Sequence, residues 1–254
     1  RYGEVLGVAE SDYEGAEQAL ERAIVIARRE GDLPLEAQTL VYAATVSGRH
    51  LHWQKSVDHG LRAIELAIDD ETPFSALRPR ISIVLSLLRT GDPDAALPHA
   101  LVLRDIVERR STPRSSFAFS FSHIASLSLL EGDWKAGREY SDRGLEMSPL
   151  SAPLLLPRVM LEYETGQSAQ GEVYLERLLE AMRRGGIGAS VRVSMAITTI
   201  VRITGVPGRL EIAEAAAEEV LSQQPITPYI AMDAKAGLAL MAVQKADQTA
   251  AAEH

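Results

Sequence analysis

The chain has no cysteine. Disulfides, thiolate metal sites and a cysteine nucleophile are therefore excluded, and a reducing cytoplasm fits. Aromatic residues are scarce, at 5%. Strands are enriched in aromatic and β-branched residues, so this shortage, beside abundant Ala and Leu, favours helix over sheet. No apolar run approaches the roughly 18 residues that span a bilayer, and no membrane contact is expected. Basic residues are in the minority: 26 Lys and Arg stand against 35 Asp and Glu, for a net charge of −9. Such a chain repels phosphates, which argues against direct nucleic-acid contact by it. Arg1 is not an initiator Met, and Arg1–Ala9 lacks the charged start and apolar run of a signal peptide. Ala250–His254 carries no helix stop signal. Both ends read as cut from something longer.

What the chain does contain is a repeat. Its clearest unit runs from Ser122 to Pro149. The order is an apolar stretch, Gly132-Asp133, Trp134, a second patterned stretch, and a proline. Glycine at the end of one helix can take the left-handed C-cap, and aspartate can cap the next through its carboxylate. With Trp134 as anchor, equivalents fall at Tyr13, Trp53, Pro93, Ser168 and Leu210, spaced 40, 40, 41, 34 and 42 along the chain. Three residues beyond the six anchors stand Ala16, Ser56, Ala96, Gly137, Gly171 and Ala213, all small. Ten beyond stand Ala23, Ala63, Leu103, Gly144, Leu178 and Val220, none charged. Offsets of 3, 7, 10 and 11 mark one face of a 3.6-residue helix, whereas strand periodicity is 2. A small residue at the third position lets paired helices approach closely. One stretch, Ser116–Ser122, alternates like a strand, but the repeat frame places it in a first helix, with Phe117 and Phe121 on one face. A seventh anchor falls at Thr249, which makes Tyr229–Lys245 the first helix of a further unit.

Gly-Asp-aromatic, then small residues at plus three and plus ten, Leu at plus eleven and Pro at plus fifteen resembles the tetratricopeptide (TPR) repeat. Gly132, Asp133, Trp134, Gly137, Gly144, Leu145 and Pro149 stand in register with it. The resemblance implies an all-α, right-handed superhelical solenoid of helix-turn-helix hairpins. It covers residues 1–254 as a single repeat domain of about six hairpins plus partial terminal units. The period departs from the family consensus, and the extra residues lengthen helices or links. Gly31-Asp32, Asp69–Pro73, Ser111–Arg114 and Gly185–Gly188 are the expected links. In style the units are similar to the TPR region of large bacterial signalling proteins, such as LuxR-type ATP-dependent regulators and ATPase-linked nucleotide cyclases. There the repeats sense an inducer or a partner.

Other features carry little chemistry. Arg183–Gly188 is glycine-rich, but a phosphate loop needs a preceding strand and a Lys-Ser/Thr after it. A flexible link is the simpler reading. His50, His52 and His59 lack a completing ligand set for a metal. Asp69-Asp70-Glu71 reads as a solvated link. Arg22, Arg62, Arg143 and Arg177 recur at plus nine, and Asp58 and Glu139 stand four residues before two of them, which predicts surface pairs. No nucleophile elbow or zinc motif occurs, so neither an enzyme nor a cofactor is expected.

In TPR stacks the first helices line a concave groove where ligands bind. Carried over, that geometry places Gln38, Thr45, Arg49, Arg78, Arg89, Phe119, Ser122, Ser126, Tyr163, Glu164 and Arg202 at or near the groove. Arg holds a carboxylate bidentately. Arg49, Arg78, Arg89 and Arg202, in so acidic a chain, point to an acidic peptide, helix or anionic small ligand. The expected function is a cytoplasmic protein–protein interaction scaffold or signal-sensing module, part of a bacterial transcriptional regulator or signalling protein. The alternatives are a small-molecule inducer sensor, and self-association through the terminal repeats.

Overall fold

In the computed structural model, the described residues are 2–66, 73–109, 118–185, 187–206 and 208–244. Among them are thirteen α-helices and no strand: α1 (Tyr2–Val8), α2 (Tyr13–Glu30), α3 (Leu33–Arg49), α4 (Trp53–Leu66), α5 (Pro73–Arg89), α6 (Pro93–Glu108), α7 (Ala118–Leu130), α8 (Trp134–Met147), α9 (Ala152–Glu164), α10 (Ser168–Arg183), α11 (Ile187–Thr204), α12 (Leu210–Ser222) and α13 (Pro228–Gln244). The six repeat anchors are the first residues of the even-numbered helices α2 to α12. Thr249, Ala252 and the chain end lie outside the described residues, as do Asp69–Glu71, most of the links Asp69–Pro73 and Ser111–Arg114, Phe117 and Gly186.

Local chemistry starts these helices where they start. Asp12, Asp32, Asp92 and Asp133 each accept a hydrogen bond from the amide three residues on, at 2.9–3.0 Å. Each thereby satisfies one of the amides that a helix N-terminus leaves without an intrahelical partner. The residue before the cap turns the chain through a left-handed conformation. Gly91, Gly132 and Gly166 do this at φ of 78°, 76° and 75°. Ser11 and Leu51 take the same conformation without being glycine, at 56° and 66°. Before α12 the pattern moves: the positive φ falls on Gly205 and Arg209, and Gly208 is not among them.

The chain divides into two compact units, residues 1–112 with 225–229, and residues 113–224 with 230–254. In unit 1 successive helices from α1 to α6 pack on one another, and α1 packs on α3, and α3 on α5. In unit 2 the same holds for α7 to α12, with α7 on α9 and α9 on α11. α13 follows on α11, where Gln244 Nε2 donates to the Thr198 carbonyl at 3.0 Å. Within each unit, the odd helices thus meet one another in order as well as their own partners, the packing of a helical repeat.

The small residues at plus three are equivalent in the fold. Ala16, Ser56, Ala96 and Ala213 have no exposed surface, and Gly137 and Gly171 are buried. A Cβ on Gly171 would lie 2.6 Å from the Tyr163 ring, and one on Gly137 2.9 Å from Leu161. At plus ten, Gly144 leaves room for Leu154, which a Cβ would meet at 2.6 Å. Around these contacts the core builds up. Ala16, Leu20, Tyr42, Ala43 and Val46 cluster between α2 and α3, with Leu6 and Tyr13 against them.

Two surface expectations change. Arg62 pairs with Glu65 at 3.0 Å rather than with Asp58, which accepts from Gln54. Arg143 lies over the Phe121 and Tyr140 rings, 5.0 and 5.7 Å from their centroids, rather than reaching Glu139. Arg143 gains more by covering aromatic surface than by a solvated pair one turn away, whereas Arg62 exchanges one solvated pair for another. Residues 118–122 are helical, and Phe121 is buried against Tyr140.

Candidate functional site

The odd-numbered helices carry all the residues expected to face a ligand. In unit 1, Gln38 is exposed on α3, and Thr45, Arg49, Arg78 and Arg89 are half-buried on α3 and α5. The Thr45 hydroxyl donates back to the Val41 carbonyl at 3.0 Å, within its own helix. Arg78 ties three odd helices together. It donates to Glu4 of α1 at 2.9 Å, and its guanidinium carbon lies 5.7 Å from the centroid of Tyr42 on α3. Its charge is met inside the chain.

Arg49 and Arg89 behave differently. They are the last residues of α3 and α5, where a cation is favoured by the helix dipole. Both converge on one ring, that of Tyr229 in the 225–229 segment of unit 1. The guanidinium carbons lie 5.4 Å (Arg49) and 4.8 Å (Arg89) from its centroid. Arg89 also donates to the Tyr229 hydroxyl at 2.8 Å. Trp53, the first residue of α4, meets the same ring edge-on, with centroids 6.1 Å apart. Arg49 has no ion pair with a carboxylate among the described residues; its partner is the π-face.

In unit 2 the expected residues do not converge in this way. Ser122 is buried beside His123, its Oγ 3.3 Å from Nδ1, and Ser126 Oγ donates to the Ser122 carbonyl. Tyr163 packs inward against Gly171, and its hydroxyl donates to Glu172. Burial first, and then that carboxylate, raises its pKa. Glu164 and Arg202 are both exposed and lie 3.7 Å apart. Phe119 belongs to α7, and its side chain lies outside the described residues.

The histidines set aside as metal ligands have other partners. His50 Nε2 lies 2.6 Å from the Gly7 carbonyl, and the His52 ring stacks on Tyr13 with centroids 4.4 Å apart. His59 helps line a space between α2 and α3 of about 20 Å³, the size of a water. The glycine-rich link after α10 is entered from a helix, and Arg183 and Arg184 both pair with Glu180.

The sequence singles out Arg49 and Arg89 but not Tyr229 and Trp53, which the structure sets beside them. Tyr229 is 140 residues from Arg89, and no local pattern links them. Trp53 was read only as the anchor of its hairpin. No family model matches the chain, and no curated protein matches it.

Proposed function

We propose that this chain is a TPR-like partner-binding scaffold, not a catalyst, and that the first-helix face of unit 1 is its recognition surface. Arg49 and Arg89, at the C-termini of successive odd helices, share one aromatic ring, and Arg49 has no carboxylate partner among the described residues. That observation carries the reading. A half-buried guanidinium without an acid is a ready partner for a carboxylate, which it binds bidentately and more strongly than water-exposed lysine does. Of the four arginines considered from sequence, Arg78 and Arg202 already meet Glu4 and Glu164. The ligand is accordingly an acidic peptide or an acidic segment of a partner protein, with Arg49 and Arg89 at its centre. A right-handed superhelix, a cytoplasmic location and a place within a bacterial signalling or transcription regulator complete the proposal, the last by likeness of repeat style.

The test is an array of acidic and neutral peptides probed with the purified chain, followed by affinity measurement on the best binder. Changing Arg49 and Arg89 together to Ala should weaken binding at least tenfold and flatten its salt dependence. Unchanged affinity in the double variant would discard the reading.

A further inference from the structure

Unit 1 already holds a peptide on the face just described, and that peptide is part of the chain. Residues 225–229, Pro-Ile-Thr-Pro-Tyr, leave α12 without helical structure until Pro228 opens α13. Three contacts hold the segment. Ser11 Oγ donates to the Ile226 carbonyl at 2.9 Å. Arg89 donates to the Tyr229 hydroxyl at 2.8 Å. The Tyr229 ring, only 8% exposed, lies against Arg49, Arg89 and Trp53. The grip on Ile226 comes from one of the few non-glycine residues at positive φ. Ser11 occupies a turn position where four other repeats carry glycine, three of them at positive φ, and its side chain makes the contact. A strained backbone that supplies a contact is characteristic of sites that hold something.

The fit is incomplete in two respects. Thr227 is 4% exposed, and its hydroxyl is buried with no hydrogen-bond partner among the described residues. Arg49 meets a neutral phenol where it could meet a carboxylate. A buried hydroxyl left unpaired weakens the docking of the segment that carries it. A neutral partner for a guanidinium likewise leaves a charge-assisted bond unmade.

We infer that the Arg49–Arg89–Trp53 face is a docking site for a prolyl-tyrosine peptide segment, and that residues 225–229 occupy it in cis as a displaceable internal ligand. The partner is a polypeptide segment that presents Pro-Tyr with a carboxylate close by. It wins by giving Arg49 the acid that the internal segment lacks. Proline before the tyrosine restricts the free peptide and lowers the cost of ordering it. Covalent attachment gives the internal segment a high effective concentration, so a competitor must be intrinsically tighter to displace it. This inference rests on the recognition surface proposed above and adds the ligand chemistry and the internal competitor.

The experiment uses the full chain and a fluorescein-labelled synthetic peptide of residues 223–232, read by anisotropy. Two peptides are compared, the natural one and one carrying Glu at positions 223 and 224. Tyr229→Ala in the chain removes the internal anchor and should raise affinity for both peptides at least tenfold over the unchanged chain. The acidic peptide should bind more tightly than the natural one, and Arg49→Ala should erase that difference. Tyr229→Phe, which keeps the ring and deletes only the hydroxyl, gives an intermediate gain and serves if the Ala variant does not fold, as judged by a circular-dichroism melt. A peptide with Val for Thr227 loses the unpaired hydroxyl and should bind several-fold more tightly. Equal affinity for the unchanged chain and both Tyr229 variants would overturn the inference. So would peptide binding indifferent to Arg49→Ala and Arg89→Ala. Peptide capture that depends on these arginines, beside array binders that do not, would retain the internal ligand and discard only the acidic-partner reading.

Discussion

Arg158 and Glu162 stand one turn apart on α9, both almost wholly buried, with Nε and Oε1 2.7 Å apart. Arg138 of α8 adds a two-pronged contact to the same carboxylate and also donates to Thr165. Arg158 reaches on to Ser141 and to Asp142, and stacks over Tyr174 of α10. Helices α8, α9 and α10 are thereby tied around the buried Arg158–Glu162 pair, α10 through the Tyr174 ring. Removing one partner of such a set leaves another buried and unmatched, which costs about 3–5 kcal/mol. Glu162→Gln should therefore lower stability by roughly that amount at neutral pH. A urea midpoint within error of the unchanged protein would refute it.

The same carboxylate sets an acid limit. Burial alone would raise its pKa, but the hydrogen bonds from Arg138 and Arg158 outweigh burial and hold it below the ordinary 4.5. A carboxyl group whose folded pKa is depressed stabilises the fold fully above its unfolded value, and loses that effect as pH falls through the folded value. Chemical denaturation from pH 7 down to pH 3 should show stability falling below about 4.5. The gap between the natural protein and Glu162→Gln should narrow over that range. A gap independent of pH would mean that Glu162 does not carry the effect.

Leu51 and Ser11 give a paired test of turn strain. Both hold a left-handed backbone without being glycine, which costs about 1 kcal/mol or more. Leu51→Gly should raise thermal stability by up to about 1 kcal/mol, the residual being reduced by glycine's greater unfolded-state entropy. Ser11→Gly relieves the same strain but deletes the bond to Ile226. Its gain should be smaller than that of Leu51→Gly. Calorimetry on both variants decides the matter, and equal gains would show the Ser11 bond to be without weight.

Gly171 tests the small-residue rule. Alanine in place of a helix-interior glycine ordinarily gains about 1 kcal/mol. Here its Cβ would sit 2.6 Å from the rigid Tyr163 ring, and overpacking costs about 1–3 kcal/mol. Gly171→Ala should be destabilising on balance, and should turn neutral or favourable in a Tyr163→Ala background. The coupling from that double-mutant cycle is the measurement; additivity would refute the packing account.

Capping can be added as well as removed. Gln167 stands at the N-cap of α10 but makes no side-chain cap bond, unlike Asp133 before α8. Gln167→Asp should stabilise by about 1 kcal/mol, and Asp133→Ala should cost about as much. Denaturation midpoints moving in the same direction for both would contradict this.

The helical hairpins were legible because their signals are local. A Gly-Asp pair marks where one helix stops and the next begins, and the first residue of every even helix was placed from spacing alone. The equivalence of Ala16, Ser56, Ala96, Gly137, Gly171 and Ala213 was legible too, since a close helix–helix approach admits only small side chains whatever the neighbour. Arginines on the first helices were identifiable as a group. That Arg78 meets an acid was not legible: Glu4 lies 74 residues from Arg78. The buried set around Glu162 gave no sign either, because an Arg and a Glu one turn apart look the same in sequence whether solvated or enclosed.

From the sequence by itself come the all-helical class, the repeat and its anchors, since these rest on backbone capping, helical period and side-chain size, which act over a few residues. Only the tertiary structure decided that Arg49 and Arg89 meet at Tyr229, that Ser11 holds Ile226, and that Arg158 and Glu162 are buried. Those outcomes depend on which distant surfaces are brought together, and on how much water is expelled when they meet.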